Sequence, residues 1–299
     1  MFTHSSSAAQ PITDYNEAMS DNERNVLEEW RGSAPYWEKN ADTIRAMFAP
    51  ITRALIEAAE IKTGQSVLDV AGGTGEPSLT IAEIVGQSGR VVCTDAVAEM
   101  VATAEHEAGR RKLGNIEFRQ CLADSLPFHD NEFDVIVSRL GAMFFPDTAA
   151  ALGEMLRVAT PGGRVAFAVW GVKEANPFFS TVTDIMSRYV ESPPEDPNEP
   201  GAFRFAESGK LLRLLEAAGA VDINEQVVNF QIQADITPRE FWPLRVEISD
   251  SLRTKASRLT PAQLSQVASE VEEAVREHFS EGRMSFPAQV IIVSAKKTT

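Results

Sequence analysis

"VLDVAGGTGEPS", residues 67–78, is the stretch whose reading decides the fold. Val67, Leu68 and Val70 make a short apolar strand, Gly72, Gly73 and Gly75 follow, and Pro77 suits the first turn of a helix. A strand that enters a helix through glycines leaves free backbone N–H groups facing a backbone that a ligand can approach closely. Loops of this kind hold nucleotides, and two common versions fit poorly here. A dinucleotide fingerprint reads G-x-G-x-x-G, whereas the chain from Gly73 reads GTGEPS, with Ser78 where the third glycine would pack helix on strand. A phosphate-cradling P-loop needs a lysine before its Ser or Thr, and none is present.

Outward from the loop, short apolar runs alternate with amphipathic ones. Strands are predicted at 65–70, 90–95, 115–122, 133–140 and 164–170, and helices at 76–85, 96–111 and 148–159. This rhythm predicts a parallel sheet covered on both faces. Residues 21–62 read as helices, with Trp30, Tyr36 and Trp37 grouped near a junction. Beyond Trp170 come a helix at 177–190, the exposed acidic loop ESPPEDPNEPG at 191–201, a helix at 206–219 and a strand at 221–232. Helices then fill 237–280, with Thr260 and Pro261 opening the last, before a final strand at 286–297.

The expected architecture is α/β: a Rossmann-like seven-stranded sheet with helices on both faces. A flexible leader (1–20) and a helical N-terminal lid (21–62) precede the nucleotide-binding core (63–172). Residues 173–299 form the C-terminal part of the same domain, with substrate-covering helical insertions before the last strand.

Composition narrows the function. The formal net charge is −15 and no cluster of Lys and Arg stands out, so nucleic acid is not the expected partner. No apolar run reaches membrane-spanning length, and the polar N-terminus carries no targeting pattern, so a cytoplasmic monomer or homodimer acting on a small molecule is expected. Cys93 and Cys121 lie in apolar runs and read as buried small side chains. No Cys/His spacing suits a metal.

Carboxylates flank the loop at informative places. Asp95 ends the strand after the loop, where a carboxylate accepts hydrogen bonds from ribose hydroxyls. Leu122, Ala123 and Asp124, one strand later, offer apolar walls and an acceptor for an exocyclic amine. Asp69 puts negative charge where a pyrophosphate would be repelled, which favours a ligand with positive charge and an amino-acid tail. Asp69 or Asp124 alone would read as a cap or turn residue; the combination carries the argument.

LDVAGGTG, TDAVAEM, ADSLPFHDNEFD and LRVATPGGRVAF, in that order over residues 40–170, resemble the class I S-adenosylmethionine-dependent methyltransferases, closest to the ubiquinone/menaquinone C-methyltransferase-like group. The resemblance implies six parallel strands and a last, antiparallel one inserted between the fifth and sixth. It implies S-adenosyl-L-methionine as cofactor. Ala71, Gly72, Gly73, Thr74 and Gly75 would approach its methionine and ribose, and Asp69 would sit near the amino group. Asp95 would hold the ribose hydroxyls, Ala96 and Met100 would lie beside the nucleoside, Ala123 and Asp124 would bracket adenine, and Arg139 would stand where the substrate-facing loop begins. Ala71 replaces the loop's usual first glycine, as it does in the quinone enzymes.

The expected acceptor walls are Met143 and Phe144, Trp170, and the Trp30, Tyr36 and Trp37 group; Phe144, Phe145 and Trp37 read equally well as core. Arg139 could meet an anionic or carbonyl-bearing acceptor, or simply pair with Asp147. His4, His106, His129 and His278 read as surface residues rather than a general base, with His278 the least settled. The expectation is methyl transfer to oxygen or carbon of a small, partly apolar molecule in secondary metabolism. The alternatives are quinone-precursor C-methylation, a nicotinamide-dependent oxidoreductase, and a non-catalytic partner protein on the same fold.

Overall fold

Every residue of Val67–Val70 is buried, as a strand covered on both faces must be. This strand, β1 (Ser66–Val70), lies in the middle of the sheet. The computed structural model describes residues 21–191 and 196–299. The leader at 1–20, with His4, and the centre of the acidic proline-rich loop lie outside the described residues.

The other strands are β2 (Arg90–Asp95), β3 (Ile116–Gln120), β4 (Phe133–Arg139), β5 (Ala159–Trp170), β6 (Val221–Ala234), β7 (Phe279–Ser280) and β8 (Arg283–Lys296). They order as β3-β2-β1-β4-β5-β8-β6. The first five are parallel, and β8 runs antiparallel between β5 and β6, with Phe167 opposite Val293 and Val228 opposite Val290. The seven expected strands are therefore present in the expected order. The eighth, β7, is a two-residue hairpin arm on β8, too short to show as periodicity. β5 starts at Ala159, so Pro161, Gly162 and Gly163, ahead of the strand predicted from 164, lie within it, where the pairing with β4 is irregular.

The order of β1 and β4 creates a crevice at the carboxyl ends of the parallel strands, because the chain leaves β1 toward β2 on one side and returns through β4 on the other. The helices beside it are α3 (Ser78–Val85), α4 (Ala98–Arg111) and α5 (Thr148–Val158). Pro77 occupies the N-cap of α3 rather than its first turn. Asp147 caps α5 by accepting a 2.9 Å bond from the Ala150 N–H.

Two helical groups stand over that end of the sheet. One is α1 (Asp21–Lys39) and α2 (Ala41–Ala58); the other follows β6 as α8 (Pro238–Glu247), α9 (Asp250–Ala256) and α10 (Pro261–Ala274). Between β5 and β6 lie α6 (Pro177–Met186) and α7 (Lys210–Ala217). The two groups are joined. Trp37 Nε1 donates to the Ile248 carbonyl at 3.2 Å, Asn40 Nδ2 donates to Glu247 at 2.9 Å, and Arg253 Nη2 donates to Ser33 at 2.8 Å. Thr260 and Gln263 form the capping box that opens α10.

Asn176, fully buried, fastens α6 to the sheet. Its amide donates to the carbonyls of Val172 (2.9 Å) and Gln289 (3.1 Å), and its oxygen accepts from the Gln289 N–H at 3.0 Å.

Candidate functional site

The glycine loop is held from several sides. Gly72 N–H donates to Thr94 O at 2.8 Å, tying the loop to β2. A Cβ on Gly72 would lie 2.6 Å from Cys93 Sγ and 2.9 Å from Asp69 Oδ2, so nothing larger fits without displacing the strand ends. Gly73, by contrast, has φ +56° and open space where a Cβ would stand. Its freedom serves both the turn and an approaching ligand. Ala71 also has positive φ, at 61°, and its Cβ packs where Gly141 leaves room; a Cβ on Gly141 would come within 2.5 Å of it.

Asp69 is completely buried at the end of β1. Ser78 Oγ donates to its Oδ2 at 2.6 Å, while Oδ1 is buried without a partner among the described residues. Burial outweighs that hydrogen bond and the nearby Arg139 charge, and lifts the carboxyl to about 7. Asp95, at the end of β2, receives the Gly73 N–H on Oδ2 and the Val97 N–H on Oδ1, both at 2.9 Å. Burial raises this carboxyl too, against the N–H donors. Loop and carboxylate therefore come together with each oxygen retaining acceptor capacity.

Arg139, at the end of β4, donates from Nη1 to Thr52 Oγ1 at 2.7 Å, while its Nε is buried and unpartnered. The charges it feels are those of Glu76 and Asp69, and burial lowers its pKa. Asp147, the alternative partner considered from sequence, is engaged as the α5 cap. A cavity of about 20 Å³ beside the loop, lined in part by Thr74, Glu76, Leu79 and Arg139, has room for a water molecule.

Three contributors escaped the sequence reading. Ser78, noted only for not being glycine, is the Asp69 partner. Glu76 accepts from Thr80 at 2.6 Å and from Arg111 at 2.9 Å, which pins the loop to the end of α4. Nothing in the spacing marks Arg111 for this role, because the contact spans 35 positions, from the loop to the end of α4.

The remaining expected residues divide. Ala96 and Met100 lie at the start of α4, with Met100 buried, and Gln120 Nε2 donates to Ala96 O at 2.9 Å. Ala123 and Asp124 are half-buried on the loop after β3. Val97 and Met100 form a small cluster with Ala34, against which Trp30 and Trp37 pack. Trp30 meets Trp37 at 5.6 Å and Phe144 at 5.1 Å, both edge to face. Tyr36 turns away, with the Arg253 guanidinium 4.6 Å over its ring. Met143 and Phe145 are buried in the main core, and Trp170 is buried among Phe48, Phe179 and Phe230. His106 and His129 are exposed; His278 sits in a short turn after α10, its ring 4.2 Å from Phe286. Among the described residues no His/Cys/Asp/Glu group could hold a metal ion, and no helix is long and apolar enough to cross a membrane.

The residues present fit a zwitterionic nucleoside. The orphaned Asp69 oxygen is an acceptor for an ammonium, the orphaned Arg139 Nε a donor for a carboxylate, and Asp95, which holds the Gly73 N–H, an acceptor for hydroxyls.

Comparison with known proteins agrees with this geometry. The model of the ubiE/COQ5 methyltransferase family matches residues 50–190. The ubiquinone/menaquinone biosynthesis C-methyltransferase of Cellvibrio japonicus is 45% identical over 114 residues, which is 38% of this chain and 46% of that protein. Its counterpart in Pseudomonas fluorescens is 34% identical over 191 residues, 60% of this chain and 72% of that protein. The chain spans about half the length of the first curated relatives it matches, 46% and 54% of two of them. Among solved structures, the YcgJ protein from Bacillus subtilis superposes with a TM-score of 0.54 at 21% identity, over 83% of this chain and 98% of that one. A phosphoethanolamine N-methyltransferase from Haemonchus contortus, in complex with S-adenosyl-L-methionine, gives 0.52 at 18% identity, over 88% and 57%. These two establish the fold, and the Pseudomonas relative establishes the kinship: the chain belongs to the ubiE/COQ5 methyltransferase family.

Proposed function

We propose that the protein transfers the methyl group of S-adenosyl-L-methionine to oxygen or carbon of a small, partly apolar acceptor by in-line displacement. The observation that carries this reading is the buried Asp69, with one oxygen fixed by Ser78 and the other waiting for a donor, beside a glycine loop held by Asp95. When bound, the cofactor supplies an activated methyl on a sulfonium, itself a good leaving group. The chain's own work is then binding, alignment and exclusion of water.

Asp69 and Arg139 hold the two ends of the amino-acid tail, Asp95 holds the ribose, and Ala96, Met100, Ala123 and Asp124 line the base. Alignment of this kind is worth up to roughly 7–11 kcal/mol of barrier. Helices α1 and α2 on one side and α8–α10 on the other exclude water from the acceptor's approach. No histidine stands ready as a base at the glycine loop among the described residues, which suits a nucleophile that needs little help in losing its proton.

The names of the Cellvibrio and Pseudomonas relatives favour a second reading, C-methylation of a quinone precursor. The chain beyond Trp170, with its acidic loop and three helices before the last strand, favours a different acceptor, in the secondary metabolism of the cytoplasm. Thermal-shift measurement with S-adenosylmethionine, S-adenosylhomocysteine and NAD tests the cofactor. Stabilisation by NAD alone would overturn the proposal, and no response to any of the three would favour a partner protein. Methyl transfer from labelled cofactor to a quinone precursor, compared with other phenols and enols, separates the two acceptors.

A further inference from the structure

Arg245, on α8, is 3% exposed, and among the described residues no acid pairs with it. Its Nε is buried with no hydrogen-bond partner. The guanidinium lies over two rings of α6, 4.4 Å from the centre of Phe178 and 4.8 Å from that of Phe179. Phe179 in turn meets Trp170 at 4.7 Å and Phe203 at 6.0 Å. Trp170 ends β5 two residues past Ala168, the register partner of Arg139. The cation thus sits one ring away from the carboxyl end of the sheet, on the side facing the helical cover.

An arginine in this state is costly to the fold. Two aromatic faces compensate part of its lost hydration, but an isolated buried charge is normally paired and hydrogen-bonded. Desolvation alone pushes its pKa down to about 9. A chain keeping such a group, within an aromatic cluster and beyond the residues that match the family model, keeps a donor fork for something that arrives. Among the described residues one guanidinium, that of Arg245, faces the rings of Phe178 and Phe179, so one negative charge balances it.

We propose that Arg245 is an acceptor-binding residue that pairs with a single carboxylate-like anion on a flat, ring-bearing methyl acceptor. The proposal rests on the methyl-transfer reading above and adds the substrate class: an aromatic or enolic acid whose ring lies against Phe179 and Trp170.

The test uses the full chain saturated with S-adenosylhomocysteine and follows three hydroxylated acids by calorimetry: salicylate, 4-hydroxycinnamate and 1-hydroxy-2-naphthoate, each against its neutral amide. At least one acid should bind tenfold or more tightly than its amide. Arg245→Met should abolish that preference, and Arg245→Lys should keep part of it. Because Met removes an unpaired buried charge, the ligand-free Arg245→Met variant should melt no lower than the parent. Acids and amides that bind alike, or not at all, would overturn the proposal, as would a preference surviving in Arg245→Met or a lowered melting temperature in that variant. Failure of S-adenosylhomocysteine to bind would instead overturn the methyl-transfer reading itself.

Discussion

Ser78 Oγ lies 2.6 Å from Asp69 Oδ2 and donates to it, while the other Asp69 oxygen is enclosed with no partner. One hydrogen bond does not compensate full burial, so the carboxyl holds its proton up to about pH 7 instead of the ordinary 3.8. Between those values the folded chain binds a proton that the unfolded chain has released. Stability is therefore greatest below 3.8, falls as pH rises toward 7, and is level above it. The span corresponds to on the order of 4 kcal/mol. Urea denaturation of the ligand-free protein from pH 4.5 to 8 should show this decline, and Asp69→Asn should reduce it, leaving the share of Asp95, whose carboxyl burial also raises.

Binding reverses the preference. In the proposed complex a cationic amino group beside Asp69 favours the ionised carboxylate, so ligand uptake below pH 7 should release a proton. Affinity for S-adenosylhomocysteine should rise through pH 6 to 7.5. Calorimetry in two buffers of different ionisation enthalpy should register the proton; identical heats in both would contradict this assignment.

In the proposed complex Asp95 joins loop and nucleoside. Asp95→Ala removes the acceptor of the Gly73 and Val97 N–H groups as well as the proposed ribose acceptor. A charge-assisted bond is worth about 1.5–3 kcal/mol, so cofactor affinity should fall at least tenfold. Circular dichroism should still show a folded chain, since the sheet pairings do not pass through this side chain.

Gly73→Ala separates fold from binding. The added methyl meets nothing within 4 Å, and the left-handed φ of +56° costs about 1–2 kcal/mol. A small drop in melting temperature should accompany a much larger loss of cofactor affinity, because the methyl occupies the ligand's approach. Equal losses would mean that the open face of Gly73 serves only the turn.

Asn176→Ala examines the scaffold. It strips buried partners from Val172 O and from both peptide groups of Gln289, at about 3 kcal/mol in all. Thermal unfolding should shift down by several degrees, with cofactor affinity nearly unchanged.

The parallel half of the fold and the loop were legible because their signals are local. Val67, Leu68 and Val70 give the strand, the glycines the turn, and Asp95 the end of the next strand. Arg139 ends β4, within the strand predicted at 133–140, yet its Thr52 partner lies 87 positions away and has no local trace. The aromatic group of α1 was located but not sorted. Trp30 and Trp37 stand seven residues apart on one helix face, whereas Tyr36 is a step round the axis and meets Arg253. Arg245 was invisible, because an arginine within FWPLRVE reads as a solvent-facing residue; only tertiary packing buries it.

The insertion of β8 between β5 and β6 has a consequence for synthesis. Among the described residues β6 pairs only with β8, so while the ribosome is still making α8 to α10 this long strand waits with no neighbour, and the edge of β5 waits beside it. Unsatisfied edges invite aggregation between nascent chains. The exposed Asn229, Gln231 and Gln233 keep one face of the second half of the waiting strand wet and unattractive to a hydrophobic neighbour. The polar face thus protects the nascent chain before it decorates the finished protein.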